Sequence, residues 1–267
     1  MPFGSPENDD GQGRASPRLF PKLVFILSAA LAALALRLTW EAPLAGVVML
    51  VVIAVMVGLR WASRRRSRRL MRSGDVQTIL ERWSSSLDRI PHPQTMRPLM
   101  TATALAAHGW VDQARAVLRT AERGPAWDAA LEHRLFLESL LLTFEGSFEQ
   151  AEQNAAELAA LPLPSTDPTM LERVTMLRGA VAALIRAFSR KSLPGDGGLM
   201  LEASDASPLV HWAMRYGAAI EAVDAGELGR ARGLIAEAPS WPSQSYFASF
   251  HHEIDGELER RMATESA

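Results

Sequence analysis

The segment LRWASRRRSRRLMR, Leu59 to Arg72, holds seven arginines in fourteen positions. Guanidinium groups at that density bind anions. Nucleic acid and lipid headgroups both fit, and a charge barrier at a membrane edge needs no partner beyond the membrane. Other reactive groups are sparse. The chain has no cysteine, which excludes disulfides and thiolate metal sites and leaves the redox compartment open. His251-His252-Glu253 offers two imidazoles and a carboxylate, but adjacent helical residues point about 100° apart, and zinc-binding helices place His at i and i+4. The Pro194–Gly198 loop carries glycines without a preceding strand or a following Lys-Ser/Thr, so it is no phosphate loop. Gly-x-Ser-x-Gly is absent, and His108, His133 and His211 have no recognisable nucleophile partner in the sequence. No catalytic, metal-binding or cofactor-binding residue is assigned, and the chain reads as a non-enzyme.

Charge distribution narrows the choice of anion. Residues 73–267 carry 17 basic and 26 acidic residues, a net −9, so the arginine run is a local device. A protein that coats nucleic acid usually shows a basic face on its domain, and nucleic acid is disfavoured here. Upstream lie two apolar runs. LVFILSAALAALAL covers Leu23 to Leu36, and PLAGVVMLVVIAVMVGL covers Pro43 to Leu59 without a charge. A helix crosses the hydrocarbon core with about 20 apolar residues and a lower limit near 17. The second run meets that limit. The first does so if Arg37 snorkels to the interface.

The short link from Arg37 to Ala42 makes the two runs a helical hairpin with both outer ends on one side. Arg14, Arg18 and Lys22 precede it and the arginine run follows it, which keeps both ends cytoplasmic. Trp40 and Trp61 sit where interfacial anchors belong. A signal peptide cut after Ala33-Leu34-Ala35 is disfavoured by a long leader with Asp9 and Asp10, and by Arg37 just beyond. Arg60, Arg64, Arg65, Arg66, Arg68, Arg69 and Arg72 are thus expected to fix topology and to touch anionic headgroups. Ala54/Gly58 and Ser28/Ala32 are small-residue pairs suited to close helix packing, within the hairpin or between two copies of the chain.

Beyond Arg72 the periodicity changes. Ser73-Gly74-Asp75 breaks the chain, and Val76, Ile79, Leu80, Trp83, Leu87 and Ile90 then recur at helical spacing. No alternating strand pattern follows. Three segments share a spacing: GWVDQARAVLRTA from Gly109, GSFEQAEQNAAEL from Gly146 and GELGRARGLIAEA from Gly226. An apolar residue comes two positions after each Gly (Val111, Phe148, Leu228). An Ala comes five after it (Ala114, Ala151, Ala231), and Leu118, Ala155 or Ile235 nine after it. The Gly permits a tight turn with positive φ, the Ala allows close helix approach, and the larger residue fills the groove.

These segments resemble the second half of a tetratricopeptide repeat, which carries Ala, then a large apolar residue, then Pro. Here Pro125, Pro162 and Pro239 end or follow the segments. The Gly-to-Gly intervals are 37 and 80 residues, so the resemblance places a degenerate unit in the longer gap. Its first helix is Met170–Phe188, with the loop Ser192–Gly198 in place of a tight turn. The preceding helices depart from the family pattern, with Pro98 and Ala102, then Leu135 and Ser139, at places where an aromatic and a small residue are usual.

The expected architecture is all-α, with a transmembrane hairpin followed by a repeat-like solenoid or bundle. Residues 1–22 form a disordered tail, and 23–61 hold two spans at about 23–40 and 43–60. Residues 62–72 form the juxtamembrane segment. Residues 73–267 form a cytoplasmic domain ending in a cap helix, about Ser243–Met262, with a stripe of Tyr246/Phe247, Phe250, Ile254 and Leu258. The resemblance implies a protein or peptide partner bound along the first helices, at Arg97, Thr101, Leu105, His108, Arg134, Glu138, Leu141, Arg215 and Glu221. The function expected is that of a membrane-anchored adaptor. The alternatives are a structural subunit recognised through its hairpin, and a regulatory subunit of an enzyme.

Overall fold

The structure, a computed structural model, describes residues 43–163 and 167–265. The tail and the expected first span lie outside the described residues. Among the described residues there are helices and no strand, and the chain divides into two compact units between Arg65 and Arg66.

Helix α1 (Pro43–Arg72) supplies the described part of the first unit and enters the second with its last turns. Pro43 opens it at a position where the missing N–H costs nothing. Val51, Val52 and Ile53 are consecutive, as are Val55, Met56 and Val57. At 100° per residue each triplet covers most of the circumference, yet every member is about half exposed or more. Among the described residues no helix is long and apolar enough to cross a membrane.

The second unit is built from helical pairs. A short helix α2 (Val76–Leu87), capped by the Asp75 carboxylate on the Thr78 N–H, packs against α3. Four antiparallel hairpins follow: α3 (Pro93–Ala107) with α4 (Val111–Ala121), α5 (Leu131–Phe144) with α6 (Phe148–Ala160), α7 (Pro168–Phe188) with α8 (Asp196–Ala206), and α9 (His211–Asp224) with α10 (Leu228–Ile235). The first helices stack in order, α3 on α5, α5 on α7, α7 on α9, and α9 reaches back to touch α3. The array therefore closes instead of leaving an open inner face.

Four turns share one device. Gly109, Gly146 and Gly226 take φ of +77°, +78° and +77°. The next residue's N–H returns to the carbonyl five positions back: Trp110 to Leu105 (2.9 Å), Ser147 to Leu142 (2.8 Å) and Glu227 to Ala222 (2.8 Å). This is the Schellman closure of a helix end. The fourth turn has no glycine. Arg190 takes φ +59° there, and Lys191 N–H bonds Arg186 O at 2.8 Å. The stretch expected to stay open to Gly198 turns helical at Asp196. Its carboxylate accepts from Leu193 N–H (2.8 Å) and pairs with Arg186 on two bonds, 2.6 and 2.8 Å.

Behind the turns, Ala114, Ala151 and Ala231 are fully buried, and Val111, Leu118, Ala155, Leu228 and Ile235 are buried around them. Phe148 is half-buried. Small residues let the paired helices approach, and each buried leucine or isoleucine beside them contributes about 1.5–3 kcal/mol.

Helix α11 (Tyr246–Glu265) does not continue the stack; it crosses the turn end of the hairpins. Tyr246 N–H donates to Gly109 O (2.8 Å), Ser245 Oγ to His108 O (2.8 Å), and Arg261 Nη1 to Val223 O (2.8 Å). These donors satisfy carbonyls that the ends of α3 and α9 leave without helical partners. Phe247 and Phe250 interleave with Phe144 and Phe188 at centroid distances of 5.0–6.1 Å. Of the stripe read from the sequence, Phe247, Ile254 and Leu258 are buried and Tyr246 and Phe250 are half-buried, at one end of the domain.

Candidate interaction surfaces

Closure of the array decides the fate of the expected partner-binding residues. Leu105, His108 and Leu141 are buried, with Leu141 fully so. Arg215 is committed to the fold: its Nε donates to Leu234 O (2.8 Å) and Nη2 to Gly233 O (3.3 Å), closing the end of α10, and its guanidinium lies over Trp212. Arg134 stacks on Trp127 at 4.1 Å, 3.8 Å from Asp128. Glu138 is half-buried with Asn154 Nδ2 at 3.4 Å, and burial raises its carboxyl above the usual range. Glu221 lies 3.5 Å from Arg230. Arg97 is exposed beside Asp88 and Thr101 is half-exposed. The nine positions are not brought together on one face.

The arginine run divides. Arg60, Arg65, Arg66 and Arg69 are exposed, and Arg65 lies over Trp61 at 5.1 Å. The side chains of Arg64 and Arg68 lie outside the described ones. Arg72 departs from the group, because it is drawn into the domain. Its guanidinium meets Asp205 at 3.4 Å, and its carbonyl accepts from Trp212 Nε1 at 2.8 Å. One residue earlier, Met71 O lies 3.2 Å from His108 Nε2. The last carbonyls of α1 lack partners within the helix; side chains from the first and the last hairpin supply them. Gly74 then turns at φ +78° against Pro239 and Trp241, where a Cβ would lie 2.8 and 3.0 Å from the rings.

Sequence reasoning missed these docking groups. Trp212, Asp205 and Met71 have no local motif, and only their meeting in space gives them a role. Burial lowers the pKa of the two histidines beside them. His108 Nδ1 faces Ala104 O at 2.8 Å, and burial lowers its pKa against the pull of the two carbonyls. His211 Nδ1 faces Ser204 O at 3.2 Å; burial first, then the Arg72 charge, lowers it to about 4.

The His251-His252 pair splits, as adjacent helical residues must. His251 turns inward, with Nδ1 3.1 Å from the Tyr216 hydroxyl, while His252 is exposed. Trp241 Nε1 donates to that hydroxyl (2.7 Å). Burial pushes the Tyr216 phenol above its ordinary range. Among the described residues, no three His, Asp or Glu side chains gather as metal ligands.

No family model, no curated protein and no solved structure matches the chain.

Proposed function

We propose that the protein is a membrane-anchored adaptor, with the α1 arm seated in a bilayer and the four-hairpin domain, of tetratricopeptide-like design, held at the cytoplasmic face to engage another protein. One observation carries this reading. From Val47 to Leu59, α1 exposes large apolar side chains in every direction, with Val48, Met56 and Leu59 each more than 60% exposed. In water such a helix lacks the polar face that a surface helix keeps, whereas hydrocarbon solvates all its sides. The reading requires Pro43–Leu59 to lie in the bilayer beside the preceding run Leu23–Leu36, with Trp61 and the exposed arginines at the headgroups.

Ala54 and Gly58 favour a second reading, a structural subunit recognised within the membrane. They lie one turn apart, and nothing stands within 4 Å of where a Gly58 Cβ would be, so a second helix can approach closely there.

Alkaline extraction of membranes expressing the full chain tests the anchor, and reporter fusions at residue 267 test its side. Retention in the membrane with a cytoplasmic reporter is expected. Release at alkaline pH, or a reporter on the far side, overturns the anchor. Exchanging residues 23–59 for an unrelated helical hairpin separates the two roles: an adaptor keeps its crosslinked partner, and an intramembrane subunit loses it.

A further inference from the structure

The hairpin array has two ends. Helix α11 covers the turn end; toward the other, the helices leave a cavity of about 340 Å3 between α3, α5, α6, α7 and the segment leading into α9. Met100, Phe136, Leu158, Val174, Leu177 and Leu209 supply its apolar wall. Pockets that bind small molecules have this size and character, with a few polar groups that orient the ligand.

The polar groups on the wall restrict the ligand further. Arg178 is fully engaged: Nε and Nη2 donate to Glu132 Oε1 (3.3 and 2.7 Å), Nη1 to Leu161 O (2.7 Å), and Nη2 also to Pro162 O (3.4 Å). The Thr103 hydroxyl is engaged with Leu99 O at 2.9 Å. Arg178 and Glu132 cancel one another's charge, so the wall holds no free ion. An anionic head would meet the Glu132 carboxylate, and a cationic one would meet a guanidinium that already holds that carboxylate. Two polar side chains on the wall remain without a hydrogen bond among the described residues, His133 (exposed) and Ser207 (half-exposed). Both bond a hydroxyl or amide without requiring charge.

We propose that this cavity binds a single-chain, uncharged amphiphile, its hydrocarbon tail against Phe136, Val174 and Leu177 and its hydroxyl or amide head at His133 and Ser207. At roughly 30 Å3 per water-sized unit, the space holds on the order of ten heavy atoms, the size of a medium-chain alcohol.

A photoactivatable diazirine analogue of 1-decanol, applied to the full-length chain in lipid nanodiscs, tests this, with labelled peptides mapped by mass spectrometry. Saturable labelling is expected on the α5 and α7 peptides that carry Phe136 and Val174. Unlabelled 1-decanol should displace it at least tenfold more effectively than decanoate or decylammonium. Val174→Trp, and separately Leu209→Trp, fills the space and should cut this labelling about tenfold in chains whose helical circular dichroism is unchanged. Labelling that does not saturate, or that survives in both filled variants, overturns the site. Equal displacement by decanoate overturns the uncharged head. Labelling by a diazirine phospholipid but not by the decanol analogue gives the cavity to a membrane lipid and overturns the single-chain ligand.

Discussion

Trp212 and Arg72 are 140 residues apart in sequence, and the indole Nε1 of one donates to the carbonyl of the other across 2.8 Å. The bond ties the end of α1 to the start of α9, while the Arg72 side chain reaches Asp205 on α8. The two contacts differ in weight. Asp205 is 80% exposed, and an exposed ion pair contributes about 0–1 kcal/mol. A carbonyl stripped of its donor at a mostly buried site costs about 1–3 kcal/mol. Trp212→Phe is therefore expected to lower stability by about 1–2 kcal/mol and to speed amide exchange at residues 71–74. Asp205→Asn should change either quantity little. Equal effects from the two variants would show that the ion pair holds the helix end as strongly as the indole does.

The glycine turns are alike in backbone and unlike in surroundings. All three hold φ near +77°, where an L-residue is strained by about 1–2 kcal/mol. Nothing lies within 4 Å of a Cβ at Gly146 or Gly226. At Gly109 a Cβ would sit 2.6 Å from Ser245 Oγ and 2.9 Å from the Phe247 backbone N, at the start of α11. Gly146→Ala and Gly226→Ala should each cost about 1–2 kcal/mol. Gly109→Ala should cost about 1–3 kcal/mol more, because backbone must move. Chemical denaturation of the three variants gives the ranking directly, and equal midpoints would refute the close approach of α11.

Much of this was legible because its causes are local. An all-α chain follows from apolar residues at spacings of three and four, and three turns announce themselves by a Gly before an apolar-Ala-apolar spacing. The fourth turn escapes the same reading because Arg190 occupies the left-handed position. The usual cue is missing there, and the strained conformation is held by closure of α7 onto Lys191 and by the Arg190–Asp224 pair, 2.6 Å. The inner face could not be read at all. Whether Leu105, His108 and Leu141 face solvent depends on α9 returning to α3 and on α11 lying over the turns, and no local pattern encodes either. The stripe Phe247, Phe250, Ile254, Leu258 says that α11 buries one side, not against what.

His211 gives the domain a defined pH response. Its folded pKa, about 4, lies below the ordinary histidine value near 6.5, so the folded state favours neutral imidazole. As pH falls below 6.5 the unfolded chain takes up a proton that the folded chain refuses, and stability declines until the folded pKa is reached. At about 1.4 kcal/mol per unit, His211 accounts for up to about 3 kcal/mol lost between pH 6.5 and 4, with no effect above 7. His108 acts in the same direction. His211→Phe keeps an aromatic ring against Trp212 and removes the proton site. Its stability, measured against wild type by urea titration at several pH values, should show a gap that narrows or reverses as pH falls from 6.5 to 4. A gap constant across that range would mean that His211 titrates normally in the fold.

The division of the arginines leads to opposite outcomes for two substitutions that remove the same chemistry. Arg60, Arg65, Arg66 and Arg69 are exposed along α1, and basic residues at an anionic membrane surface contribute about 1 kcal/mol each. Replacing these four with Ser, in full-length chain reconstituted in mixed anionic and zwitterionic nanodiscs, should sharply reduce the anionic lipid retained in native mass spectrometry. The unfolding midpoint of the domain should stay in place. Arg72→Ser should differ, because Arg72 meets Asp205 and carries its charge beside His211. Its lipid retention should match wild type, and its pH response should weaken, since removing that charge raises the His211 pKa toward the ordinary value. Lipid loss in Arg72→Ser equal to a quarter of that in the fourfold variant would show that Arg72 takes the lipid-binding role proposed for its neighbours, and that its pairing with Asp205 does not hold it to the domain.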